Sequence, residues 1–249
     1  TITSQVLCSL DASDQFDLTS DVVATTYSWI AAENENLSGH EESGTTAFIP
    51  SQTITNSTNS DQDLVYTIIP IANGCAGTPF EYTLTVQPVP VIADKDETIC
   101  DGETFTIQPA DNFPTEIIPI GTNYSWPDPL SNPTGVVIGG TSASAQSLIS
   151  QTLSNTSDYP ATLTYSITPN YDGCDGDDFD IVITVNPTVS VDAIPDQVLC
   201  NGDNTLAVEF NTTIADNTVQ DSGEISYTWT NDNTDIGLAA SGTGNIPSF

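Results

Sequence analysis

One stretch of this chain occurs twice at a fixed distance, and that repeat limits the possible folds more than any single motif does. Residues 64–88 read LVYTIIPIANGCAGTPFEYTLTVQP, and residues 163–187 read LTYSITPNYDGCDGDDFDIVITVNP. At an offset of 99, eleven of the 25 positions are identical: Leu64, Tyr66, Ile68, Pro70, Gly74, Cys75, Gly77, Phe80, Thr85, Val86 and Pro88 all recur. Matches of this kind, on alternate apolar residues, turn glycines and a cysteine, are what a duplicated core retains.

Within the second copy, Leu163, Tyr165 and Ile167 alternate with Thr164, Ser166 and Thr168, and Phe179, Ile181, Ile183 and Val185 continue the pattern after the turn. A period of two buries one face of each arm. Gly173 and Gly176 bracket Cys174 and permit a tight connection, while Pro169 and Pro187 are expected to stop the ladders. Each copy therefore predicts a terminal hairpin of a β-domain.

The rest of the chain falls into register with the hairpins. QVLC at 5–8 recurs at 197–200, with ICDG at 99–102 between them, and SQTITN at 51–56 matches SQTLSN at 150–155. Tyr27-Ser28-Trp29, Tyr124-Ser125-Trp126 and Tyr227-Thr228-Trp229 hold one place in the repeat. A period of roughly 100 residues suits one small domain. It predicts a first unit at 1–89 with a truncated opening strand, a complete unit at 90–188, and a third at 189–249 whose closing hairpin falls beyond Phe249. Short strands between turn signals, with no helical period, predict an all-β chain of tandem immunoglobulin-like sandwiches with about seven strands each. Strands are expected at 16–18, 104–107 and 205–210, and irregular loops at 34–46 and 135–147. Trp29, Trp126 and Trp229 are assigned to the cores rather than to sugar stacking. The short junction at 89–97, stiffened by Pro88 and Pro90, predicts units arranged as a rod.

Charge removes several function classes. Lys95 is the single basic side chain against 34 acidic ones, a net charge of -33. Nucleic acid and anionic lipid would find no counter-charge, so neither is expected as a partner. No apolar run approaches the ~18 residues of a membrane span. His40, the single histidine, lies in a segment that does not repeat and is assigned to the surface, so no Ser/His/Asp set is favoured. No spacing singles out a carboxylate pair of the glycosidase kind either. The chain reads as no enzyme.

The cysteine-glycine opening, the Tyr-Ser-Trp strand, the Ser-Gln-Thr strand and the closing hairpin, most specifically ANGCAGTPFEYTLTVQP at 72–88, resemble the PKD-like repeats of Bacteroidetes surface proteins. The resemblance spans the chain and is slightly looser in the second unit, where Asp172 replaces the asparagine. It implies an immunoglobulin-like fold, export by the type IX secretion system, a place at the outer cell surface, and an adhesive role like that of gliding-motility adhesins of the SprB kind. The implied partners are an external surface or polysaccharide, bound through the parent protein, and neighbouring repeats. A carbohydrate-binding module is the alternative, with Tyr171 and Phe113 as candidate ligand contacts.

Export places the cysteines in oxidising surroundings, where disulfides persist. Pairing within units, Cys8 with Cys75 and Cys100 with Cys174, is the favoured expectation, and Cys200 is left with its partner outside the chain. A bond between units, Cys8 to Cys174, stays open, because an immunoglobulin topology puts the opening turn and the hairpin turn at opposite ends. No cofactor is expected apart from calcium, for which Asp172, Asp175, Asp177 and Asp178 crowd one turn as hard oxygen ligands. The first copy has Asn73, Ala76, Thr78 and Pro79 there, and plain solvated acidity is the preferred account.

Overall fold

The computed structural model describes residues 3–212 and 226–249. The first unit runs through β1 (Ser4–Cys8), β2 (Phe16–Asp17), β3 (Thr26–Ala31), β4 (Leu37–Ser38), β5 (Ser43–Gly44), β6 (Phe48–Ile49), β7 (Thr55–Asn56), β8 (Gln62–Ala72), β9 (Cys75–Ala76) and β10 (Phe80–Gln87). Its main sheet has the order β1-β10-β8-β3-β5, with β9 hydrogen-bonded to β8, and the short pairs β2–β6 and β4–β7 supply the facing layer. Antiparallel register sets Tyr82 opposite Tyr66 and Leu84 opposite Leu64. All four are buried on one face, as the alternation requires. Trp29 meets Tyr66 edge to face at 5.7 Å, and Leu18, Leu37, Ile49 and Ile54 close the core. Full burial of side chains of this size is worth roughly 1.5–3 kcal/mol each.

The second unit repeats the plan with β11 (Lys95–Cys100), β12 (Thr104–Ile107), β13 (Asn123–Trp126), β14 (Leu130–Asn132), β15 (Val137–Ile138), β16 (Ala143–Gln146), β17 (Ile149–Thr152), β18 (Ser154–Asn155), β19 (Ala161–Tyr171), β20 (Cys174–Asp175) and β21 (Phe179–Asn186). Its main sheet has the order β11-β21-β19-β13-β16, and β12–β17 and β15–β18 pair outside it. Trp126 packs edge to face on Tyr165, 6.2 Å away. Both units are thus immunoglobulin-like β-sandwiches in tandem. They hold more than seven strands each because the long arms and the connecting segments divide into short pieces.

The opening strand of each unit runs parallel to the closing one. Cys8 pairs with Gln87 and Cys100 with Asn186, so the opening cysteine lies where the chain leaves its unit. The hairpin tip, reached before the closing strand begins, lies at the other end.

Three expectations change. Pro169 does not end its strand: the ladder to β21 stops at Ile167, but β19 continues, with Pro169 opposite Tyr124. Its carbonyl accepts from the Gly176 N–H at 2.9 Å, since proline gives up a donor and keeps its acceptor. The stretches at 34–46 and 135–147 are not irregular throughout: they contain β4, β5, β15 and β16. Gly44 there lies so close to Trp29 that a β-carbon would meet the indole at 2.2 Å. In residues 189–249, where a third unit is expected, 205–210 forms no strand and contributes one bridge, Val208 to Ile246.

That segment has β22 (Thr228–Thr230) paired with β23 (Ser241–Thr243), and Gly242 lies against Trp229 as Gly44 lies against Trp29. Trp229, assigned to a core, is only half-buried. Among the described residues no counterpart of β8 or β10 flanks β22, so nothing there completes the cover. For the same reason Leu199 is 45% exposed, whereas its counterparts Leu7 and Ile99 are 7% and 6% exposed.

Candidate functional site

The feature that both repeats build most carefully is the hairpin tip. Asn73 and Gly74 have φ of 50° and 77°, and Asp172 and Gly173 have 46° and 94°. Two successive left-handed residues make the mirror-image turn that suits the twist of a hairpin, and Asn-Gly or Asp-Gly is the usual sequence for it. Each turn delivers its cysteine to the residue opposite the end of the long arm, Cys75 to Ala72 and Cys174 to Tyr171.

The disulfide joins Cys8 to Cys174, with Cα atoms 5.5 Å apart, and links the two units. Cys75, Cys100 and Cys200 are free thiols. Pairing within units is thereby corrected, and the reason is the parallel register. Cys8 lies opposite Gln87 at the end of β10, whereas Cys75 lies beyond Phe80 at its start. The eight residues of β10 span about 23 Å at ~3.3 Å each, far beyond the ~7 Å that two Cα atoms of a disulfide tolerate.

Around the bond the first unit's exit end receives the second unit's tip. Gln87, 5% exposed, donates from Nε2 to Asp172 Oδ2 at 2.9 Å. Cys174 is 1% exposed. A β-carbon on Gly176 would stand 2.2 Å from the carbonyl oxygen of Pro90, so the linker and the tip are in backbone contact. Asn59 donates to Asp111 across the units at 2.8 Å. Burial, with the Asp61 carboxylate of the first unit next, raises the pKa of the Tyr171 hydroxyl. Tyr171, considered above as a ligand contact, is therefore engaged at the junction, while Phe113 is 52% exposed.

The linker itself is fixed in the second unit. Val91 and Ile117 exchange both backbone hydrogen bonds at 2.9 Å, and Asp94 Oδ1 accepts from the Asp180 N–H at 2.8 Å. Lys95 pairs with Glu116, whose carboxyl it holds below the usual range. Asp101, at the second unit's own exit end, accepts from Ser154, from the Asn155 N–H and from Thr188, and these bonds lower its pKa.

The acidic tip does not bring its carboxylates together. Asp172 faces Gln87, Asp175 accepts from Asn170 and Asp178 accepts from Thr168. Among the described residues no three His, Cys, Asp or Glu side chains are grouped to hold a metal ion. A groove of about 420 Å³ between 192–197 and 206–211 carries Asp192, Asp196 and Glu209 beside Ile194, Leu206 and Val208. His40 is half-buried, and its Nδ1 has no hydrogen-bond partner. No described helix is long and apolar enough to cross a membrane.

The matched SQTITN and SQTLSN segments hold residues that the sequence reading treated only as strand. Gln52 bonds the hydroxyl of the buried Tyr66, and the half-buried Gln151 bonds that of the buried Tyr165. Burial raises the Tyr66 pKa to about 12. Asn56 donates to Val86 and Ser60 carbonyls and accepts from Thr58, and Asn155 repeats this with Val185, Tyr159 and Ser157. The signal for them was that the identical positions of these two segments are all polar.

The sequence profile of the PKD-like domain matches residues 5–90 and again 97–189. No curated protein matches the chain in sequence. Similar solved structures include DIP-gamma IG1+IG2, at 9% identity over 74% of this chain and 94% of that one, with a TM-score of 0.38. Human CDH23 EC21-23 is 15% identical over 93% of this chain and 83% of that one, with a TM-score of 0.37. The insect immune protein hemolin is 12% identical over 84% and 57%, with a TM-score of 0.32.

Proposed function

Because this chain belongs to the PKD-like domain family, we propose that it is a non-catalytic stalk segment of a large, repetitive cell-surface adhesin of the gliding-motility type, exported by type IX secretion. The observation that carries this reading is the Cys8–Cys174 bond, which ties the exit end of one sandwich to the hairpin tip of the next. Force applied along such a chain passes through a closed covalent loop rather than through the linker by itself. Oxidising surroundings, where structural disulfides persist, fit a place outside the cell.

Repeated residues in this chain serve cores, turns and the junction, which is what a spacer requires. Each unit keeps its own core, so reach grows with the number of units. The charge of -33 keeps neighbouring stalks apart and soluble, over about 8 Å at physiological salt. Adhesion to an external surface or polysaccharide then belongs to other parts of the parent protein or to segments that differ between units, such as residues 135–147.

The test is a screen of the folded chain against glycan arrays and immobilised polysaccharides. The stalk reading expects no saturable binding tighter than millimolar. Micromolar binding to one defined glycan, lost on Phe113→Ala, would replace it with a carbohydrate-binding module.

A further inference from the structure

The junction has two surfaces, and each also occurs unfilled elsewhere in the chain. One is an exit end: an opening cysteine opposite the residue before the closing proline. In the first unit Cys8 lies opposite Gln87, and the Ser9 N–H donates to the Gln87 carbonyl at 2.8 Å. In the second unit Cys100 lies opposite Asn186, and the Asp101 N–H donates to the Asn186 carbonyl at 2.9 Å. The backbone arrangement is the same, yet Cys100 is an exposed free thiol.

The other surface is a hairpin tip. Asp172-Gly173-Cys174 occupies the junction, and Asn73-Gly74-Cys75 adopts the same turn with Cys75 exposed and free. Gly77 is the counterpart of Gly176. Each has a proline ring 3.0 Å from its β-carbon position, Pro70 and Pro169, but only Gly176 is pressed against a linker carbonyl. The first unit thus carries a glycine at the place where the junction demands one, with no linker beside it.

We propose that Cys75 and Cys100 are the open halves of further staples of the same kind. In this arrangement Cys75 bonds the opening cysteine of a PKD-like unit preceding it in the same polypeptide, and Cys100 bonds the tip cysteine of the unit that follows. Every junction then carries one disulfide between successive units, and no disulfide closes within a unit. The observation behind this is not exposure of a thiol but the bonded state of the equivalent residues one repeat away. The polar partners also match: where Gln87 meets Asp172, Asn186 would meet a tip amide such as that of Asn73, a neutral pair of complementary donors and acceptors.

Forming each bond removes two protons and two electrons from two thiols. A small disulfide such as oxidised glutathione accepts them by thiol–disulfide exchange and leaves as two thiols.

The inference deepens the stalk reading, and its test reads thiols alone, so it can fail while the binding screen still supports a stalk. In sequence, Ile194 and Gln197 to Cys200 align with Ile2 and Gln5 to Cys8. A copy of residues 90–192 placed directly before Thr1 therefore preserves the spacing of a natural junction and puts a complete unit ahead of the first. The protein is folded in a glutathione redox buffer, its free thiols are alkylated, and its peptides are mapped without reduction. The expected result is a peptide linking the added copy's Cys100 to Cys75, beside the original Cys8–Cys174 peptide. Cys8–Cys174 reports in the same molecule that the neighbouring units have folded. Cys75 recovered as an alkylated thiol while Cys8–Cys174 is intact would overturn the proposal. So would Cys75 linked to a second molecule, and so would absence of the Cys8–Cys174 bond itself, from which the staple is inferred.

Discussion

Gly176 faces the carbonyl of Pro90 at a separation that leaves no room for a β-carbon: one built there would lie 2.2 Å from the oxygen. The contact joins a hairpin tip to a linker, so a methyl group at this position acts on the junction and not on either core. Gly176→Ala is expected to force the tip off the linker, at a cost of about 1–3 kcal/mol, and to speed reduction of Cys8–Cys174 by dithiothreitol several-fold. Gly77→Ala adds a methyl near the Pro70 ring alone and is expected to leave that rate unchanged. Timed reduction followed by alkylation measures both.

The amide of Asn155 has all its hydrogen-bonding capacity in use while only 6% exposed. Asn155→Ala removes the side-chain donor from the buried Val185 carbonyl and one of the two donors to that of Tyr159, which keeps Ser157, and is expected to cost about 2–3 kcal/mol, lowering the melting temperature of the second unit by roughly 10 °C. Gln151→Leu removes one partner of the buried Tyr165 hydroxyl and is expected to cost about 1–2 kcal/mol. Calorimetry of the two variants checks the order.

Lys95 offers trypsin its single site in this sequence, and the structure protects it within β11, paired with Glu116. The native chain is expected to resist cleavage. After denaturation without reductant, one cut yields 1–95 and 96–249, which stay joined through Cys8–Cys174 and migrate as one species until reduced. Two separate fragments on a non-reducing gel would show that the bond is not there.

Acid acts at the junction and at the second unit's exit end. The hydrogen bond from Lys95 lowers the Glu116 pKa, and the Ser154 hydroxyl, the Asn155 N–H and Thr188 lower that of Asp101. A carboxyl held below its unfolded value, about 4.3 for Glu and 3.9 for Asp, lends stability that is present above that value and disappears as pH falls through the folded one. Urea midpoints of Glu116→Gln and Asp101→Asn are therefore expected to fall below the parent's at pH 7 and to converge with it below about pH 4.

Much of this was legible in the residues. The alternation of Leu64, Tyr66 and Ile68 and the Asn-Gly and Asp-Gly turns fix the hairpins, because burial and left-handed backbone leave little choice there. Cysteine pairing was legible only as an alternative: two cysteines per unit favoured a bond within it, while the immunoglobulin-like topology left Cys8 to Cys174 open. The parallel pairing of β1 with β10, a long-range relationship that no local pattern encodes, decides between them by placing Cys8 and Cys75 at opposite ends. Nor could the strand pattern show that Pro169 continues β19, because its use depends on the acceptor it keeps for Gly176. Trp229 follows Tyr-Thr where its counterparts follow Tyr-Ser, a closely similar local sequence, but a tryptophan is buried by strands far away in the chain, and none of the described residues provides them.

We propose that these units form a stalk whose junction is held by Cys8–Cys174. Small-angle X-ray scattering of the chain, beside the Cys8→Ser variant, tests it most directly. A stalk predicts an elongated particle, with a radius of gyration well above the roughly 18 Å of a compact globule of this length. It also predicts a distance distribution that broadens when the bond is removed, while each unit's melting transition persists. A compact particle, or profiles that superimpose with and without the disulfide, would contradict it.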